Sequence, residues 1–203
     1  MKTFFYITIP MVVFLAWGIC QAQPVPHGVG GFVLGEDIKR VERNLVMGSD
    51  LPIRHMEFIR EMEIKNVDGF KSGLVAYGTC NAPGRIIRIK LKYADASKKM
   101  YEQLLKRFKK RFGEPDEWRG DPFGIVLAWK WSFVDSQNHN ISLVLQHNTR
   151  DVEEKIGNAV KLTLTGQLLK ERECHRKKFP ETQKPPKSGD SGKKTNWNML
   201  VPR

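Results

Sequence analysis

Three segments that read as helices, set among runs of alternating apolar and polar residues, place this chain in the α+β class. The alternating runs follow one another through turn signals, Asp68-Gly69 and Pro83-Gly84, with few helices between them. The expected architecture is an antiparallel sheet with its helices packed on one face.

In chain order, Gly28 to Gly31 read as a flexible lead into a short apolar strand, Phe32-Val33-Leu34, that stops at Gly35. Residues 36–47 predict a helix: Ile38, Val41 and Leu45 share a stripe, Glu36 and Asp37 occupy the first turn, and Gly48 ends it. The period then changes. Met56, Phe58, Met62 and Ile64 share one parity and predict a strand, with residues 74–80 as its hairpin partner. In the next strand Ile87, Ile89, Leu91 and Tyr93 alternate with Arg88, Lys90 and Lys92, so one face is apolar and the other cationic. Asp95 or Ser97 caps the clearest helix, whose stripe is Tyr101, Leu104, Leu105, Phe108 and Phe112 and whose end is Gly113 with Pro115. Ile125, Leu127, Trp129, Trp131 and Phe133 share one face of a long strand, and Ile141, Leu143 and Leu145 return antiparallel. A helical turn at 151–156, a strand carrying Val160, Leu162 and Leu164, and a closing helix over 167–179 complete the chain. Helix, Gly48, Pro52 and strands resemble helix, Gly113, Pro115 and strands, which suggests two degenerate helix-plus-three-strand halves, 31–94 and 95–179.

Residues 1–22 read as a signal peptide: Lys2, an uncharged apolar run from Phe4 to Ile19, and a cleavage site at Cys20-Gln21-Ala22. Pro10, the short run and the lack of a following basic cluster speak against a retained anchor, so no transmembrane segment is expected after cleavage. The mature chain is expected to be periplasmic or secreted. Residues 23–179 form one α+β domain, and the Pro, Lys, Ser and Gly composition of 180–203 predicts a disordered basic tail. Of three cysteines Cys20 leaves with the leader, and Cys80 with Cys174 predicts a disulfide. The alternative, a Cys80 nucleophile, needs a free thiol.

Charge is the main functional signal. The chain carries 34 basic and 22 acidic residues, and the excess persists without leader and tail, which hold six of the basic residues and two of the acidic ones. On an exported protein such a surface suits an anionic envelope component or an acidic protein patch and not nucleic acid. The candidate anion-binding or partner-binding residues are Arg88, Lys90 and Lys92 on the strand, and Lys98, Lys99, Lys106 and Lys110 on the helix after it. If that helix covers the apolar strand face, the two groups form separate patches. No nucleophile-elbow, zincin, Walker or dinucleotide motif occurs, and no cofactor or metal is expected, since His139, His147 and Cys174-His175 show no ligand spacing. The aromatic row Trp129, Trp131 and Phe133 is expected to lie under the helix stripe. Arg119-Gly120-Asp121, an adhesion tripeptide, reads as part of a turn with Pro122. The competing function, a small periplasmic hydrolase, would pair Asp116, Glu117 or Asp121 with Glu61 or Glu63 across a cleft.

The segment Phe32-Val33-Leu34-Gly35 leading into a helix, and the Tyr101 to Pro115 pattern of helix, Phe-Gly, acid and Pro, resemble the small secreted modules of the SmpA/OmlA (BamE-like) and beta-lactamase-inhibitor-protein type. The chain departs from them in lacking a lipobox and in its extra strands. As a whole the mature chain resembles an uncharacterised bacterial periplasmic family. The resemblance implies an exported helix-on-sheet scaffold that binds proteins or envelope components without catalysing a reaction.

Overall fold

The structure, a computed structural model, describes residues 24–148 and 157–180. The leader, the expected turn at 151–156 and the tail from 181 lie outside the described residues. The first element is a hairpin, β1 (Gly28–Val29) and β2 (Phe32–Val33), closed by Gly30 and Gly31 at φ 62° and 84°. Two consecutive positive φ values make the tight turn that matches strand twist, so the pair expected to be flexible is a specified turn. A Cβ on Gly30 would stand 2.5 Å from Leu91 Cδ1, which shows how closely the hairpin lies on the sheet.

The helix expected over 36–47 is a 3-10 helix, Ile38–Asn44, capped by the Asp37 side chain on Lys39 N at 3.0 Å. It stops early because Leu45 and Val46 bond to the sheet: Leu45 bridges Ile64, and Val46 N donates to Glu63 O. Four strands follow, β3 (Leu51–Ile53), β4 (Met56–Glu63), β5 (Phe70–Gly78) and β6 (Ile86–Tyr93). Helix α1 (Lys98–Phe112) begins at Ser97, whose Oγ accepts from Met100 N, while Asp95 Oδ1 accepts from Ser97 N, so both expected caps act. Four more strands come next, β7 (Glu117–Trp118), β8 (Val126–Val134), β9 (Asn140–Asn148) and β10 (Asn158–Leu164), before helix α2 (Thr165–Lys178).

All eight strands from β3 onward make one antiparallel sheet, ordered β3-β4-β5-β6-β10-β9-β8-β7. The order mirrors itself about the β6–β10 seam. Each half is therefore a helix plus four strands, not three, because β3 and β7 add a short outer strand to each.

The inward face of the sheet carries a continuous apolar row, Met62, Val75, Ile89, Leu162, Leu143 and Trp131, in direct cross-strand register. Helix α1 covers its second half: Phe108 meets Trp131 and Phe112 meets Phe133 edge-on at 5.9 and 5.7 Å. Trp131 is 1% exposed and donates Nε1–H to Gly113 O at 2.9 Å. Trp129 is only half-buried and packs edge-on against Trp118. Asn158, fully buried, ties α1 to the sheet. Its Nδ2 donates to Asp95 O and Ser97 O, which leaves Oδ1 to accept from His147 Nδ1–H.

Helix α2 is held by chemistry more than by an apolar stripe. Cys174 is bonded to Cys80, with Cα atoms 5.8 Å apart. One turn away the buried Glu171 carboxylate accepts from the backbone N–H groups of Cys80, Asn81 and Ala82 at 2.7, 2.9 and 2.6 Å. A Cβ at position 78 would stand 2.5 Å from Glu171 Oε1, so the approach requires Gly78. Among the described residues no helix is long and apolar enough to cross a membrane.

Candidate functional site

Strand alternation that sends Ile89 and Leu91 inward sends Arg88, Lys90 and Lys92 to the opposite face. On that face Lys90 of β6 stands directly opposite Lys161 of β10. The same register continues outward through Leu74 and Glu63 on β5 and β4, and through Val144, Lys130 and Glu117 on β9, β8 and β7. Since the sheet order mirrors itself at β6–β10, the lysine pair marks the centre of the face, with an apolar side chain next to it on either side.

Like charges directly opposite one another destabilise a ladder. Lys90, Lys92 and Lys161 enter no ion pair among the described residues. Burial lowers the Lys161 ammonium below its ordinary value, and Arg88, Lys90 and Arg119 lower it further. The Lys161 side chain is nevertheless exposed, so the face surrounds it without covering it. Burial likewise holds the Arg88 guanidinium below its usual value, with Glu61 offsetting part of the effect. The Arg88 Nε is buried and has no hydrogen-bond partner among the described residues. Toward the outer strands the charge is balanced. Glu117 bonds Arg119 at 2.7 Å and Lys130 at 3.1 Å, and the hydrogen bond from Lys130 is the main cause of its lowered carboxyl. The lysines without an ion pair among the described residues therefore sit at the seam, with Glu61 and Glu63 on the same face two strands away on β4.

Of the residues picked from sequence, Arg88, Lys90 and Lys92 share this face, while Lys98, Lys99, Lys106 and Lys110 are exposed on α1, which lies over the opposite one. They form two patches. Lys161 and Arg119 were missed. The only local sign of Lys161 is a lone cation inside Ala159-Val160-Lys161-Leu162, and its position opposite Lys90 is a long-range consequence of register.

The remaining candidates serve structure. The Asp121 carboxylate accepts from Phe123 N at 2.8 Å and from Val126 N, closing its own turn. Asp116 accepts from Ser132 N at 2.6 Å. Strands β4 and β7 are six places apart in the sheet, roughly 29 Å at the usual strand spacing, so Glu61 and Glu63 do not meet Asp116 or Glu117 along it. Cys80 offers no thiol. His139 pairs with Asp135 at 2.9 Å and His147 with Asn158 at 2.7 Å, in separate networks. Among the described residues no group of three or more His, Cys, Asp or Glu converges.

Fold and face together define an α+β protein with a mirror-ordered antiparallel sheet and a cationic centre. No protein-family model matches the chain, and neither a curated protein nor a solved structure matches it.

Proposed function

We propose that the chain is an exported, non-catalytic binding module of the cell envelope whose cationic sheet face takes an anionic envelope component. The observation that carries this reading is the opposition of Lys90 and Lys161 at the centre of the sheet, with Arg88 and Arg119 beside them. The pair weakens the ladder and gains no ion pair among the described residues in return, whereas an anion set between the two ammonium groups converts the repulsion into two attractions. Export rests on the leader-like residues 1–22 and on the Cys80–Cys174 bond, which persists in an oxidising compartment. The resemblance to secreted protein-binding modules points the same way.

Flotation with phosphatidylglycerol vesicles and with lipopolysaccharide tests it. Binding is expected at low salt, weakens as the Debye length falls below about 10 Å, and is lost in the Lys90→Glu/Lys161→Glu protein. Binding that survives this double reversal, or that ignores salt, would overturn the assignment.

A further inference from the structure

On the opposite side of the sheet a groove of about 630 Å³ runs between the N-terminal hairpin and the last turns of α1. Its floor is Leu143, Val160 and Leu162, its walls include Val29, Phe108 and Phe112, and among the described residues no acidic one lines it. Two exposed cations one helical turn apart, Arg107 and Arg111, stand at its α1 side, and neither forms an ion pair among the described residues. Tyr93 also lines the groove; burial pushes its hydroxyl up to about 12, so it stays a neutral donor.

An apolar trough with an uncompensated arginine pair at its rim complements one kind of ligand. We propose that the groove is a second binding site, for a single-chain fatty acid, with the alkyl chain on Leu143, Val160 and Leu162 and the carboxylate on Arg107 and Arg111. The volume lies within the usual range for small-ligand sites. A guanidinium fork matches a carboxylate in two-pronged geometry, and apolar walls exclude the water that would weaken the pair. An alkyl chain without an acid group leaves the arginines without an anionic partner, although Arg111 lies over the Phe112 ring at 5.5 Å, and an acid without a chain leaves the trough empty. The site is separate from the lysine face, because Val160 and Leu162 point to the side of the sheet opposite Lys161.

Calorimetric titration of the purified protein with sodium dodecanoate, kept below its micelle concentration, tests the proposal. The expected result is saturable binding of one dodecanoate per chain, weakened at least tenfold in Arg107→Glu/Arg111→Glu and at least tenfold for dodecanol. Because both arginines are exposed, the double variant is expected to keep the parent's thermal transition, which is measured alongside. Val29→Trp, which fills the groove from the hairpin, abolishes binding, and Lys90→Glu/Lys161→Glu leaves it unchanged, so failure of the sheet-face assignment is distinguishable from failure of this one. Absence of saturable binding, equal affinity for dodecanoate and dodecanol, or indifference to the arginine reversal would overturn the proposal. A dimer in sedimentation that Val29→Trp dissociates would overturn it too, since a second copy would then fill the groove.

Discussion

Replacing Lys161 by glutamate is expected to make the protein more stable while removing the proposed anion binding. In the parent, Lys161 faces Lys90 across the β6–β10 ladder and feels Arg88 and Arg119 as well. The substitution removes one like-charge opposition and creates one opposite-charge pair, each worth about 0.2 to 1 kcal/mol in a sheet. Because the side chain is exposed, solvent screening keeps the sum near about 1 kcal/mol at low salt. For a domain of this size that raises Tm by about 2 to 4 °C. Urea unfolding followed by tryptophan fluorescence reads the change as a shifted midpoint at constant slope. The gain should shrink as salt is added. The pH dependence has a defined sign. Lys161 is lowered in the folded protein from 10.5, so between its folded value and 10.5 the unfolded chain holds the extra proton and stability rises with pH. Lys161→Met lacks this response. Its advantage over the parent is therefore greatest at neutral pH, where the folded lysine is charged, and narrows as pH climbs toward 10.5. A Lys161→Glu protein that is less stable than the parent at low salt, or whose gain is independent of salt, would refute the idea that charge is crowded at the seam.

Other consequences concern what holds the scaffold. Converting Cys80 and Cys174 to serine opens a cross-link between residues 94 apart and should cost about 4 to 5 kcal/mol on the chain-entropy account, measured by urea titration against the oxidised parent. A loss under about 1 kcal/mol would mean that Glu171 alone secures α2. Trp131→Ala empties a fully covered site under α1 and orphans Gly113 O, for an expected loss of about 3 to 5 kcal/mol; a near-neutral result would contradict the packing. Asn158→Ala leaves two carbonyls of the α1 cap and His147 Nδ1 without their buried partner, and should cost about 2 to 3 kcal/mol with faster hydrogen exchange in the first turn of α1. Unchanged exchange there would show that the helix start does not depend on Asn158.

The long strands and α1 were legible because each buries one face and so prints a clean period on the residues, as Ile87, Ile89 and Leu91 do against Arg88, Lys90 and Lys92. Strands β3 and β7 were not, since three and two residues are too few to establish a period. Gly30 and Gly31 looked like freedom and are a turn, because their positive φ values are set by the pairing of Val29 with Phe32. Residues 36–47 carry a helical stripe, yet the sheet takes Leu45 and Val46 for its own hydrogen bonds and leaves a shorter, tighter helix. The cationic strand was visible in one dimension. Its partner was not, for Lys161 acquires meaning only when β10 pairs with β6 across a sequence separation of 71, counted from Lys90 to Lys161.

Amine footprinting tests the proposed binding face most directly. The purified protein is treated with an amine-reactive reagent in the presence and absence of phosphatidylglycerol vesicles, and each lysine is read by mass spectrometry. Lys90, Lys92 and Lys161 are predicted to lose reactivity together when vesicles are present, while Lys98, Lys99, Lys106 and Lys110 on α1 keep theirs. Protection of the four helix lysines with continued labelling of Lys90 and Lys161 would contradict the account and move the partner to the opposite side of the sheet.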